Sequence, residues 1–166
     1  MNLYLTLALS FLLALLQSTV LSRVTVLGVH PDLLLLVVTS WSLLRGAEEG
    51  MVWALIGGSA LDLFSGARFG VHTLSLLVVG FLAGLGGKAG FRFDLLMPML
   101  VIPLATLGYE LSTMALLHVT GWPVAWGAYM GRTVFSCTVV NTLGMPLVYL
   151  AMRALYRRTV REEITW

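Results

Sequence analysis

The sequence predicts an all-α, polytopic membrane protein that folds as one helix bundle. Of its 166 residues, 58% are hydrophobic and only 11% are charged, whereas soluble domains average about 45–50% and about 25%. Several apolar runs also approach the roughly 20 residues that a helix needs to cross the hydrocarbon core of a bilayer. These observations exclude a soluble enzyme, a disordered tail and a nucleic-acid-binding protein. A single cysteine, Cys137, excludes an intrachain disulfide and a multi-cysteine zinc site.

We expect a single transmembrane domain over residues 1–166, with a basic tail at 153–166. The predicted helices cover about residues 2–22, 31–44, 50–64, 69–87, 95–117 and 129–152. The first segment has no charged residue, no basic start and no cleavage site, which indicates a retained helix rather than a signal peptide. The fifth is interrupted only by Glu110.

Residues 31–64 allow two interpretations. Pro31-Asp32 opens a run that ends at Leu44, and Gly50 opens another that ends at Phe64, with a polar turn between them. Each run is short for a full crossing, which interfacial ends or local thinning of the bilayer would accommodate. The alternative is one interfacial hairpin that never fully spans, which would leave five helices. We expect six.

The basic residues predict the orientation. With six spans, seven of the ten Lys and Arg residues lie on the side that holds both chain ends. Cytoplasmic loops are enriched in Lys and Arg, so both termini are predicted to be cytoplasmic. The tail decides this prediction, because it carries four of the seven: Arg153, Arg157, Arg158 and Arg161.

Two acidic residues fall inside predicted spans, Asp62 in the third helix and Glu110 in the fifth. Ionisable groups in a bilayer are costly and are functional candidates by default. The expected intramembrane polar cluster consists of Gln17, Asp62, Arg68, Glu110 and Arg132. The simplest interpretation pairs Asp62 with Arg68 and Glu110 with Arg132. A pocket for a ligand or a partner helix, and a proton path, are the alternatives.

Polar residues also recur at helical spacing, which predicts faces that turn inward. The sets are Thr6, Ser10 and Gln17; His72 and Ser75; Thr106, Glu110 and Thr113; and Thr138 and Asn141. Such side chains commonly form hydrogen bonds between membrane helices.

Small residues in the fourth helix are spaced four apart, Gly80 with Gly84 and Ala83 with Gly87. This spacing allows helix backbones to approach closely. The contact could be with a partner helix or within the bundle, and we favour packing within the bundle.

Signatures of catalysis and of cofactor binding are missing. The sequence contains no H-E-x-x-H, no G-x-S-x-G and no Walker lysine followed by Ser or Thr. The three histidines fall in separate segments without metal-ligand spacing. We therefore predict a protein that is not an enzyme and that holds no cofactor or metal.

An ordered series of residues resembles the MreD family of rod-shape membrane proteins. The series is Gln17-Ser18-Thr19, Pro31-Asp32, Gly50, Gly57-Gly58, Leu61-Asp62-Leu63, Ser65-Gly66 and Gly70. The resemblance is specific over roughly residues 15–87. It implies that Gln17, Pro31, Asp32, Gly50, Gly58, Asp62 and Gly70 are important positions, and a fold similar to that of the substrate-binding S components of vitamin transporters.

The resemblance implies a non-enzymatic role in the bacterial inner membrane. MreD-like proteins bind MreC, a bitopic membrane protein, and support the complex that contains RodA, a class B penicillin-binding protein and, indirectly, MreB. Membrane lipid is the other expected partner, and nucleic acid is not. The alternative is an S component of an energy-coupling-factor vitamin transporter, in which Gln17, Asp62, Arg68 and Glu110 would line the vitamin pocket. Against it, no aromatic cluster converges on that set, and no long loop is available as a lid.

Overall fold

The described residues form six α-helices. The structure is a computed structural model that describes residues 3–26, 28–66, 68–87, 95–122, 127 and 133–163. The helices are α1 (Leu3–Thr19), α2 (Leu33–Arg45), α3 (Ala47–Ser65), α4 (Val71–Gly87), α5 (Leu96–Val119) and α6 (Phe135–Glu163), with a short 3-10 helix at Leu21–Arg23. Within these ranges no strand is present beyond one isolated bridge between Val26 and Val29. The predicted all-α fold class is confirmed.

Helix α2 is the centre of the bundle. Every residue from Leu34 to Leu44 is buried, and α2 packs against each of the other five helices. A helix that is buried on all sides belongs to a protein core and does not lie along an interface. Its 13 residues rise about 20 Å, which is less than the thickness of the hydrocarbon core.

The other five helices surround α2 in the order α1, α3, α4, α5 and α6. Each neighbour in this series packs against the next, whereas the described residues of α1 and α6 do not pack extensively against each other. The ring is therefore open between α1 and α6.

The outer surface of the ring is apolar. Leu104 and Leu147 are 69% and 78% exposed, which suits side chains that face lipid. By length and composition, α5, most of α6 and the segment Thr6–Arg23 could each cross a membrane, and α2 and α4 are shorter apolar helices. The structure is thus a helical membrane bundle, and the number of six crossings remains a prediction.

One end of the bundle, which we call the Gly46 end, contains the turn between α2 and α3. Gly46 alone joins the two helices, with φ of 95°. Beside it, Glu49 Oε2 lies 3.4 Å from Arg45 Nε and accepts a hydrogen bond from Trp41 Nε1 at 3.1 Å. Helix α6 ends on this side as well, and its Tyr156 ring lies 5.3 Å from the Arg45 guanidinium carbon. The predicted basic tail continues α6 as helix through Glu163.

The opposite end, the Pro31 end, contains the start of α2. Asp32 is the N-cap residue of α2, and its side chain accepts a hydrogen bond from the backbone N–H of Leu35 at 3.3 Å. An acid at the positive end of a helix is favourable. The helices α1, α3 and α5 end here, and α4 begins here.

Candidate functional site

Asp62 ties the end of α3 to the start of α4. Its carboxylate accepts hydrogen bonds from the backbone N–H groups of Gly70 (2.8 Å), His72 (2.9 Å) and Thr73 (3.1 Å), and from the Thr73 hydroxyl (2.6 Å). The first N–H groups of a helix have no partner within it and attract a negative charge. Asp62, which is 4% exposed, therefore caps α4 from a neighbouring helix.

The expected ion pair between Asp62 and Arg68 is not formed. Arg68 is exposed, and within the described part of the chain no ion pair joins it to Asp62. The tight turn from α3 to α4 brings four donors to both carboxylate oxygens, and these donors take the place of the guanidinium.

Two glycines make this arrangement possible. Gly70 has φ of 99°, a conformation that favours glycine. A Cβ at Gly58 would lie 2.5 Å from the Thr73 Cα, so α3 and α4 cross in contact one turn before Asp62. We call the set of Gly58, Asp62, Gly70 and Thr73 the α3–α4 joint.

A second network surrounds the start of α2. Gln17 on α1 donates to Asp32 Oδ1 at 2.8 Å and accepts from the Leu34 N–H at 2.8 Å. Asn141 on α6 accepts from the Asp32 N–H at 3.1 Å and donates to the Thr106 hydroxyl on α5 at 3.3 Å. This Asp32 network joins α1, α2, α5 and α6.

Tyr109 extends the network toward α4. The Tyr109 hydroxyl lies 2.7 Å from His72 Nδ1, and the two rings stack with their centroids 6.2 Å apart. Glu110, the next residue on α5, is buried. One turn beyond Glu110, the Thr113 hydroxyl donates to Ser75 at 3.0 Å.

A polar cavity of about 380 Å³ opens between these groups at the Pro31 end. Its lining residues are Gln17, Ser18, Ser22, His30, Pro31, Asp32, Leu61, Phe64, Ser65, His72, Tyr109, Glu110 and Thr113. Asp32 at the start of α2 and Glu110 within α5 thus line one cavity. Such a space can hold a polar ligand or water.

The structure divides the expected polar cluster. Gln17 and Glu110 line the cavity, Asp62 belongs to the α3–α4 joint, and Arg68 is exposed. Arg132, with its expected partnership to Glu110, lies outside the described residues.

The small residues of α4 pack against other helices of the same chain. A Cβ at Gly84 would lie 2.3 Å from the Ala47 Cα, and one at Gly87 would lie 2.6 Å from the Leu43 carbonyl oxygen. A Cβ at Gly80 would lie 3.2 Å from the Gly50 carbonyl oxygen, and Ala83 is buried. This face is therefore occupied within the bundle and is not open to a partner helix.

Asp32 and Tyr109 were not predicted to line the polar cavity. The Pro-Asp pair indicates a helix start, and an N-cap accounts for its acid without further partners. Tyr109 is adjacent to Glu110 on an apolar helix, and only the packing of α5 beside α2 and α4 reveals its polar contacts.

Comparison with known proteins identifies the family. The family described as rod shape-determining protein MreD matches residues 1–159. No curated protein and no solved structure matches the chain. The family match covers the α3–α4 joint, the Asp32 network and most of α6, far beyond the segment that carried the resemblance. The chain therefore belongs to the MreD family of rod shape-determining membrane proteins.

Proposed function

We propose that this protein is a non-enzymatic membrane scaffold of the rod-shape machinery that supports lateral peptidoglycan synthesis. The observation that carries the proposal is the family match over residues 1–159. The polar residues of the bundle support it, because hydrogen bonds between helices engage Gln17, Asp62 and Asn141. These residues hold the helices together and need no substrate to account for them.

The proposed direct partner is an MreC-like bitopic membrane protein. RodA, a class B penicillin-binding protein and, indirectly, MreB would belong to the same complex. The apolar outer surface of the ring supports a role that depends on contacts within the membrane, since Leu104 and Leu147 point away from the bundle. Lipid would cover the rest of that surface.

The proposed location is the bacterial inner membrane, with both termini in the cytoplasm. Arg45 and the end of α6 lie together at the Gly46 end. Placing this end in the cytoplasm puts the arginines of the tail on the side that the positive-inside rule favours. The Pro31 end and its cavity then face the periplasm.

The vitamin-transporter alternative has one observation in its favour, the polar cavity of about 380 Å³. The vitamin pocket would need four residues, Gln17, Asp62, Arg68 and Glu110. Two of them, Asp62 and Arg68, do not line this cavity. The family match also favours the rod-shape function.

Deletion of the gene in the bacterium that encodes it tests the function. We expect the cells to lose their constant width and become round, and a plasmid copy of the wild-type gene to restore rods. Labelling with a fluorescent D-amino acid should show that lateral wall synthesis is lost while division-site synthesis remains. Deleted cells that stay rod-shaped with normal lateral labelling would contradict the proposal.

A further inference from the structure

Helix α6 is longer than a crossing of the bilayer requires. Its 29 residues rise about 43 Å, whereas the hydrocarbon core is about 30 Å thick. The Tyr156 ring lies beside Arg45, the last residue of α2, and Glu48 in the first turn of α3 is exposed at the same end. These polar groups mark the membrane surface at the Gly46 end. The part of α6 that follows Tyr156 therefore lies at the surface or beyond it.

The outward face of α6 changes from leucine to arginine along a single stripe. Leu147 and Leu150 are 78% and 51% exposed. Ala154, Arg157 and Arg158 are exposed as well. These positions follow one another at steps of three and four residues, which places them on one face of the helix. Because the leucines of this face point to lipid, the two arginines point to the lipid layer too.

The depth of the two arginines matches that of lipid headgroups. Ten residues separate Leu147 from Arg157, a rise of about 15 Å. This rise is half the thickness of the hydrocarbon core. A bilayer centred near Leu147 thus places Arg157 and Arg158 where the phosphates of the lipids lie.

Another arginine at this end is used within the bundle. The Arg45 guanidinium carbon lies 6.0 Å from the centroid of the Trp41 ring and 5.3 Å from that of Tyr156, and its Nε lies 3.4 Å from Glu49. Arg45 therefore joins α2 to α3 and α6. Arg157 and Arg158 lie beyond these contacts, on the exposed face of α6.

Two guanidinium groups at this depth suit the phosphate of an anionic lipid. Arginine presents its N–H groups in a planar fork that matches phosphate oxygens. Each basic residue near a negatively charged membrane surface strengthens binding to it roughly fivefold. The exposed leucines below the arginines provide apolar surface for the acyl chains of the same lipid molecule, a contact that a free phosphate ion cannot make.

We propose that Arg157 and Arg158 bind the phosphate of an anionic phospholipid whose acyl chains cover Leu150 and Leu147. The ligand is a membrane lipid with a net negative headgroup. The site restricts the lipid beside this part of the bundle to one charge class, and it does not depend on the proposed scaffold function.

Native mass spectrometry of the full chain in a neutral detergent tests the site. The delipidated protein is titrated with dioleoylphosphatidylglycerol and, separately, with dioleoylphosphatidylcholine, which has the same acyl chains and no net charge. We expect the anionic lipid to bind at least about tenfold more tightly. Equal affinities would overturn the proposal, because the acyl chains alone would then account for binding.

Matched double variants locate the site. Arg157→Gln combined with Arg158→Gln should weaken binding of phosphatidylglycerol at least about tenfold and leave that of phosphatidylcholine unchanged. Glutamine has nearly the helix propensity of arginine, and the midpoint of thermal unfolding checks the fold. The control, Arg23→Gln with Arg68→Gln, removes two exposed arginines at the Pro31 end and should bind phosphatidylglycerol as the wild type does. An equal loss in both variants would show that total charge governs binding and would overturn the site.

Two further outcomes would identify a different ligand. Displacement of phosphatidylglycerol by an excess of inorganic phosphate would overturn the lipid as the ligand, because a free anion would then suffice. Wild-type affinity for phosphatidylglycerol in the variant that lacks Arg157 and Arg158 would also overturn it and would favour an acidic protein segment as their partner. Since every titration uses the isolated chain, failure of a membrane partner to co-purify counts only against the scaffold function.

Discussion

The Asp62 carboxylate, near the end of α3, accepts both the backbone N–H of Thr73 at 3.1 Å and its hydroxyl at 2.6 Å. A single side chain of α3 thus satisfies the first turn of α4. The costly intramembrane acid is explained by the helix that begins beside it. Asp62 is consequently a residue that stabilises the fold, and its substitution should affect folding before it affects any partner.

Replacing Asp62 by Leu should destabilise the bundle by at least about 3 kcal/mol, since each hydrogen bond to a charged group contributes roughly 1.5–3 kcal/mol. Asp62→Asn should lose less, because the amide oxygen still accepts from the α4 N–H groups. Thermal unfolding followed by circular dichroism in detergent measures both. A wild-type midpoint for Asp62→Leu would show that the cap is dispensable.

Gly58→Ala should destabilise the protein by about 1–3 kcal/mol, because the added Cβ overpacks the crossing of α3 and α4. The Cβ would lie 2.5 Å from the Thr73 Cα. Gly108→Ala is the matched control, since its Cβ meets nothing within 4 Å and α5 is helical there. The control should gain up to about 1 kcal/mol from helix propensity. Equal stability of the two variants would contradict the close crossing.

Gly46→Ala tests backbone strain without a packing effect. A Cβ there meets nothing within 4 Å, but φ is 95° and ψ is 178°. This region is nearly restricted to glycine, so the substitution should cost about 1–3 kcal/mol. Its urea unfolding midpoint should fall, whereas that of Gly108→Ala should not. An unchanged midpoint would mean that the turn between α2 and α3 adopts another conformation.

Asn141→Leu should destabilise the packing of α6 by about 1–3 kcal/mol, because it removes one partner from buried polar groups. The two groups concerned are the Asp32 N–H and the Thr106 hydroxyl. Thr142→Ala is the control, since the Thr142 hydroxyl bonds only within α6, to the Thr138 carbonyl at 2.7 Å. The midpoint of thermal unfolding should be clearly lower for Asn141→Leu than for Thr142→Ala. If both variants have the same unfolding midpoint, the hydrogen bonds that Asn141 makes between helices do not stabilise the protein.

Much of the fold could be predicted from single-helix patterns. Apolar runs indicated the six helices, and Pro31-Asp32 indicated where α2 begins. The central place of α2 could not be read in the same way, because a short apolar run fits a buried helix and an interfacial one equally well. Burial from Leu34 to Leu44 distinguishes them only once the neighbouring helices are known.

The polar site was predicted only in part, for a related reason. Helical spacing shows which residues share a face, as with Thr106 and Glu110, but not which faces meet. Asn141 on α6 forms a hydrogen bond with Thr106 on α5. The spacing of residues within either helix does not show that these two helices are neighbours. Asp62 was expected to meet a charge, whereas backbone N–H groups, which leave no mark in the sequence, satisfy it.

The central claim is that this MreD-family chain acts by assembling with a membrane partner. Native mass spectrometry of the chain co-expressed with an MreC-like protein and purified in detergent tests it most directly. We predict a complex of the two chains at one defined ratio, with no vitamin retained. Elution of the chain alone, carrying a tightly bound vitamin, would contradict the scaffold function and favour a transporter subunit.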